Sequence, residues 1–154
     1  MSESLQFMMG KHAAVIPVDF YYSRNHFWAK KVDGKNRFGF STYAIKLMQD
    51  VFFLDWQVNA GDKVALLDQI GHIETSKAVS DLFAPIAANI LGFNPVVLAD
   101  PSAINVDGYE KGWLFEMDGS IETLMDAKSY VSYLDENWEK TQRILKGKIN
   151  AGDD

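Results

Sequence analysis

Short apolar stretches with a period of two fill most of the chain, and the last quarter changes to a period between three and four. Residues 26–32 (HFWAKKV) and 36–41 (NRFGFS) flank Asp33-Gly34, a pair that tolerates positive φ, which predicts a β-hairpin. Residues 42–48 (TYAIKLM) predict a short helix with Thr42 as its N-cap, followed by a buried strand over 51–54 (VFFL). A turn at Ala60-Gly61-Asp62 precedes strands over 64–67 and 70–75, broken near Asp68-Gln69, and the chain reverses across Ser76-Lys77. Beyond it Leu82, Ala84, Ile86, Ala88 and Ile90 alternate with other residues, as in a strand, with Pro85 marking an edge or bulge. A loop over 94–112 then leads to a last strand at 113–117 (WLFEM). Many short strands separated by turn signals predict a small barrel or sandwich.

The two ends differ from this pattern. Residues 1–16 show no clear period and run into Pro17, which reads as an arm or a packed-down tail. From Ser120 onward Leu124, Ala127, Val131, Leu134, Trp138, Thr141 and Leu145 step by three and four, a stripe along one helix face. Glu136 with Lys140, and Glu139 with Arg143, are i,i+4 pairs in the favourable order. One helix or two consecutive ones, ending near Gly147, are expected, with the stripe packed on the β domain. The expected organisation is an N-terminal arm over 1–19, a β domain over 20–119 and a C-terminal helical extension over 120–154.

With 47% hydrophobic residues, among them 10 Phe, 6 Tyr and 4 Trp, a chain of 154 residues has ample material for one core. Its formal net charge of −6 argues against nucleic acid and anionic membrane surfaces, which would repel it. No cysteine occurs, so disulfides, thiolate metal sites and thiol nucleophiles are excluded together. The start has neither a basic segment nor a long apolar run, and no eighteen consecutive apolar residues follow anywhere. A cytoplasmic protein without a signal peptide or membrane span is expected.

Few residues suggest chemistry. His26 and His72 fall on predicted strands without the carboxylate or cysteine spacing of a metal site, and structural roles suit them better. Ser76 beside Lys77 is a poor Ser-Lys nucleophile, since adjacent strand residues point oppositely and no oxyanion feature accompanies them. A lysine in a polar turn is ordinarily just solvated. The octet around it, Glu74-Thr75-Ser76-Lys77-Ala78-Val79-Ser80-Asp81, changes that reading.

This octet resembles the lipoyl-attachment segment of glycine cleavage H proteins, typically E-S-V-K-A-V-S-D, in which the lysine is modified. The resemblance covers roughly residues 22–130, in the right order and at close to the right spacing. His26-Phe27-Trp28 is similar to H-E-W, residues 39–43 (GFSTY) to G-I-T-x-Y, and residues 50–53 to D-V-V-F. Ala84-Pro85-Ile86 resembles S-P-V. Asn94, Pro101 and residues 104–113 resemble the N…P…L-I-N-x-D-P-Y-x-x-G-W signature, and Leu124 to Ala127 with Tyr130 the start of the C-terminal helix. The pattern departs at Phe27 (Glu in the family), Gln49 and Leu67 (Gly) and Gly108 (Pro).

The resemblance implies a mainly β fold, a flattened sandwich or barrel-sandwich hybrid of the biotinyl/lipoyl type, with a short internal helix and the C-terminal extension. It implies a non-catalytic carrier with lipoate attached to Lys77, and recognition of the turn by modifying or partner enzymes through Glu74, Ser76 and Asp81. Biotin is disfavoured, because the neighbours of Lys77 are Ser76 and Ala78 and not methionines. The implied partners are a pyridoxal-phosphate glycine decarboxylase, an aminomethyltransferase, dihydrolipoyl dehydrogenase and lipoylating enzymes. Residues 16–22 (IPVDFYY) and the long tail also resemble H-like lipoate-binding proteins, which serve heterodisulfide-reductase-like sulfur oxidation. An unmodified interaction module is the reading from another class.

Overall fold

The computed structural model describes the backbone of residues 3–153 and the side chains of residues 3–141. Its elements run β1 (Ser4–Met9), β2 (His12–Pro17), β3 (Tyr21–Tyr22), β4 (Phe27–Val32), β5 (Lys35–Phe40), α1 (Thr42–Met48), β6 (Val51–Trp56), β7 (Lys63–Val64), β8 (Gln69–Thr75), β9 (Val79–Phe83), β10 (Ala88–Phe93), α2 (Pro95–Ala99), α3 (Ala103–Val106), β11 (Phe115–Met117) and α4 (Ala127–Asp153). A six-stranded sheet in the order β3-β4-β5-β11-β10-β7 faces a three-stranded sheet, β6-β8-β9. Phe27, Phe38, Phe40 and Phe115 from the first meet Val51, Ile70, Ile73 and Leu82 from the second in one buried cluster. This is the expected β sandwich.

Local chemistry explains most elements. Asp33 and Gly34 take φ 52° and 80°, the positive values a two-residue hairpin turn requires, and join β4 to β5 with Val32 opposite Lys35. Ser41, not Thr42, caps α1: its backbone is extended (φ −63°, ψ 158°) and its Oγ accepts from the Ala44 N–H at 3.3 Å. Thr42 already lies inside the helix, and its Oγ1 donates to the Val15 carbonyl at 2.7 Å.

The alternation over 82–90 is real, yet it spans two strands in different sheets. Leu82, Ala84, Ile86, Ala88 and Ile90 are all buried in the same core, so the period survives while the chain crosses between layers at residues 84–87. Backbone bonds from Leu67 N to Ala84 O and from Ala84 N to Asp68 O fix the crossing. The strand expected over 64–67 shrinks to Lys63–Val64, because Leu67 adopts φ 68° and leaves the pleat. The loop over 94–112 holds α2 and α3; Asn94 Oδ1 accepts from Val96 N–H and Pro95 opens the first turn.

The start of the chain is a hairpin. β1 and β2 pair from Ser4 opposite Pro17 to Met9 opposite His12, around Gly10 at φ 65°. Phe7, Met9, Ala14 and Ile16 alternate inward, a period diluted in the sequence by small alanines and by exposed Met8 and Val15. They form a second buried cluster with Trp28, Tyr43, Tyr130 and Leu134. α4 runs past Gly147 to Asp153; one helical glycine costs about 1 kcal/mol relative to alanine, too little to end a helix alone. Its Ala127 and Leu134 are buried, and Val131 and Trp138 pack against the second cluster. Leu145, and the Arg143 partner expected for Glu139, lie outside the described side chains. Among the described residues, no helix is long and apolar enough to cross a membrane.

Candidate functional site

Lys77 stands exposed at the tip of the β8–β9 hairpin. Thr75 organises this turn: its Oγ1 accepts from the N–H groups of Lys77 and Ala78, each at 3.2 Å, and its own N–H donates to the Ala78 carbonyl at 2.9 Å. Ser76 anchors the turn sideways. Its N–H donates to the Asp50 carbonyl at 2.9 Å, and its Oγ accepts from the Asp50 N–H at 3.2 Å. The backbone under Lys77 is therefore tied to the junction between α1 and β6, while small neighbours leave the ammonium in solvent. A nucleophilic role for Ser76 has no support in this geometry, since its hydroxyl is engaged with backbone. Thr75 and Asp50 appear in the sequence only as members of the matched segments, without this bracing role, although a threonine two residues before the tip is a recognisable turn-closing signal.

The acidic residues share the outer face of the three-stranded sheet in different rows. Glu74 stands opposite Phe53 and Val79, directly below the tip. Asp81 stands one row further down, opposite His72, and accepts from Gln69 Nε2 at 3.2 Å. His72 Nδ1 is 3.9 Å from Asp55 Oδ2, a weak, exposed contact. A bulge between Val51 and Phe53 leaves Phe52 and Phe53 on the surface at 65% and 44% exposure, so the acids alternate with apolar side chains.

On the other flank Lys77 borders a cleft of about 210 Å³, with Lys46, Leu47 and Gln49 from the end of α1, Met9 and His12 from the N-terminal hairpin, and Trp138 from α4. Gln49 closes α1 at φ 61°, ψ −134°, a backbone state that favours glycine. It is held there by its N–H to the Ile45 carbonyl at 2.8 Å and by Asn105 Nδ2, which donates to its carbonyl at 2.6 Å.

His26 immediately precedes β4. Its φ of 72° is unusual for a non-glycine residue, and its Nδ1 is 2.9 Å from the Tyr130 hydroxyl, which also meets Ser41 Oγ at 2.8 Å. This chain couples α4 to the cap of α1. Burial lowers the His26 pKa from 6.5 to about 4, so the imidazole is neutral in the folded protein near pH 7. Because the unfolded state binds the extra proton between those values, the stability from neutral His26 is full above about pH 6.5 and is lost as pH falls towards 4. The ceiling is about 3 kcal/mol, reduced because His26 is only partly buried. Urea unfolding at pH 7 and pH 4.5 is expected to show a loss that His26→Asn, a residue tolerant of positive φ, largely removes; an unchanged pH slope in that variant would refute the assignment.

The departures from the family pattern have distinct structural meanings. Phe27 is 1% exposed, stacked on Phe40 at 5.3 Å and edge-on to Phe115, so this position belongs to the core. Leu67 and Gln49 adopt positive φ without being glycine. The Gly108 carbonyl accepts from Trp28 Nε1 at 2.7 Å.

Comparison with known proteins agrees with this architecture. The family model described as glycine cleavage H-protein matches residues 20–137. The glycine cleavage system H protein of Anaeromyxobacter sp. (strain K) is 34% identical over 125 residues, covering 79% of this chain and 97% of that protein. That of Carboxydothermus hydrogenoformans is 34% identical over 131 residues, covering 82% and 99%. The crystal structure of a glycine cleavage system H protein from Mycobacterium marinum superposes with a TM-score of 0.69 at 29% identity, covering 79% of this chain and 98% of that one. With the sandwich, its short internal helix and the helix at the end all in common with that architecture, the chain belongs to the glycine cleavage H-protein family and is a carrier protein of that kind.

Proposed function

We propose that this protein carries lipoate in amide linkage to Nζ of Lys77. The observation that carries the reading is the hairpin tip itself: an exposed lysine between the small residues Ser76 and Ala78, on a backbone braced by Thr75 and Asp50. Acylation exchanges a cationic ammonium for a neutral amide. When attached, lipoate supplies a redox-active disulfide on a long flexible stem. The rigid hairpin holds the base of that stem, so the load stays at high local concentration near each docked partner. Glu74, Ser76 and Asp81 form the polar surface that lipoylating and partner enzymes read on this account. The protein itself contributes no general acid or base.

On the family's pattern the load is the aminomethyl group of glycine, passed between the pyridoxal-phosphate glycine decarboxylase and the aminomethyltransferase, with dihydrolipoyl dehydrogenase restoring the disulfide. A second reading keeps the same arm and gives it a sulfur-containing load for heterodisulfide-reductase-like proteins. The observation that favours it is the pair Lys46 and His12 in the cleft beside Lys77, with no carboxylate among the lining residues. Intact mass and a tryptic map of protein from a lipoate-competent host test the common part: one lipoyl group on Lys77 is expected, and an unmodified Lys77 under those conditions would refute it. Exchange of CO₂ into glycine with the pyridoxal enzyme then separates the loads, since failure with lipoylation intact selects the second.

A further inference from the structure

We propose that the outer face of the six-stranded sheet is a docking site for an acidic, partly apolar peptide segment of a partner protein, held by Lys30, Arg37 and Lys111 around the rings of Tyr109 and Trp113. The site shares no residue with the cleft beside Lys77, and it stands whether or not that lysine is loaded.

Charge is spread unevenly over this acidic chain. The β4–β5 hairpin holds four of the 15 basic residues, Lys30, Lys31, Lys35 and Arg37, and one of the 21 acidic ones, Asp33. Lys30 stands directly opposite Arg37, and Val32 opposite Lys35. Strand alternation puts these four side chains on one face. Like charges directly opposite one another weaken a strand pair, so this row costs stability and returns none within the molecule. Among the described residues the ion pairs are Arg37 with Glu116 and His72 with Asp55, which leaves Lys30, Lys35 and Lys111 without a carboxylate partner. An anionic partner would relieve the repulsion.

The cations border a cleft of about 520 Å³, within the roughly 300–1,000 Å³ of ligand pockets. Its walls are fixed. Arg37 Nε donates to Glu116 Oε2 at 3.1 Å, and the guanidinium lies 4.3 Å from the ring centre of Trp113. Glu116 engages Nε, so both terminal nitrogens of Arg37 remain for an incoming carboxylate. The Tyr109 hydroxyl donates to the Val15 carbonyl and accepts from the Thr42 N–H at 3.1 Å, which holds its ring at the cleft. Val32 and the 52% exposed Val96 add apolar surface.

A peptide suits this face better than a nucleic acid. Glu110 lines the cleft and Glu116 lies against Arg37, where a continuous phosphate backbone would be repelled. A peptide can space its carboxylates around them and offer an apolar side chain to Val32, Val96 and the rings.

The test titrates the full chain with the capped hexapeptide Asp-Glu-Leu-Phe-Glu-Asp, its amide analogue Asn-Gln-Leu-Phe-Gln-Asn and an oligothymidylate, following backbone and indole N–H shifts by NMR. The acidic peptide is expected to move Lys30, Val96, Lys111 and the Trp113 indole. It should bind about fivefold or more tightly than the amide analogue at low salt, an advantage that shrinks as ionic strength rises to about 0.3 M. Lys30→Glu and Lys111→Glu should each weaken it by about threefold or more, while Lys11→Glu, the same change at the turn of the N-terminal hairpin, should stay within about twofold of wild type. Both cleft lysines are exposed, and unchanged shifts across the core of the free variants check that they fold.

No shifts with the acidic peptide, equal affinity for its amide analogue, shifts centred on another surface, or an equal response to Lys11→Glu would overturn the site. Tighter binding of the oligothymidylate at the same residues would also overturn it and give the face to nucleic acid. The lipoyl mass shift is read separately, so the carrier reading of Lys77 neither falls nor stands with these outcomes.

Discussion

Lys77→Arg is expected to abolish lipoylation completely, with no lipoyl mass shift in a host that modifies the wild type, while the thermal midpoint stays within about 1–2 °C. The substitution keeps the positive charge and the turn, because the hydrogen bonds at this position come from the backbone N–H to Thr75 and from neighbours. The side chain is exposed, and surface changes away from buried features typically fall within about 0.5 kcal/mol. What disappears is the primary amine that an acyl group can join, since a guanidinium stays protonated above pH 12 or so. Intact mass and a melting curve on the same preparation check both halves. A persisting single lipoyl shift would move the attachment to another lysine, and a large drop in midpoint would mean that the turn depends on the lysine stem.

The largest expected loss of stability follows Trp28→Ala. Trp28 is 1% exposed, stacked on Phe20 at a centroid distance of 5.0 Å, and its Nε1 donates to the Gly108 carbonyl at 2.7 Å. Gly39 on the paired strand has no side chain because none would fit: a Cβ there would lie 2.5 Å from Cε2 of the indole. Truncation leaves a cavity across two strands and an unpaired carbonyl, which together should cost about 3–5 kcal/mol. In a chain of this size that lowers the midpoint by roughly 10 °C or more. Trp28→Phe retains the ring contact and loses the donor, so it should cost less, about 1–3 kcal/mol. Urea unfolding of the two variants measures the difference; a loss below about 1 kcal/mol for the alanine variant would show that neighbouring rings collapse into the space.

These two positions mark what kind of information each level holds. The Lys77 turn was legible because its identity is carried by a contiguous octet in an ordered series of matches, and hairpin chemistry at Asp33-Gly34 was legible because two residues dictate a turn by their own φ preferences. The sandwich as a class followed from period-two stretches between turn signals. Composition alone excluded thiol chemistry, since no cysteine is present.

Other features required distant parts of the chain to meet. The strand-like run over 82–90 hid a crossing between sheets because both halves bury alternate residues in one core, and a one-dimensional period cannot say which layer a residue occupies. The N-terminal hairpin escaped notice because its inward residues include Ala14 and its outward ones Met8 and Val15, so polarity did not alternate where burial did. Phe27 stands where the family pattern has glutamate, and it is buried in the core. Its neighbour Trp28 points the other way into the second cluster, and only the pairing of β4 with β5 assigns the two faces.

The sequence by itself determined the fold class and singled out the lysine proposed to carry an arm, because both depend on residues near one another along the chain. The tertiary structure decided what surrounds that lysine. Thr75 and Asp50 brace it, an acidic and apolar sheet face lies on one flank, and on the other a basic cleft is assembled from residues 9, 12, 46 and 138. Those four positions converge only after the hairpin and α4 have packed against α1, and the burial that drives this packing leaves no mark on the polar residues it brings together.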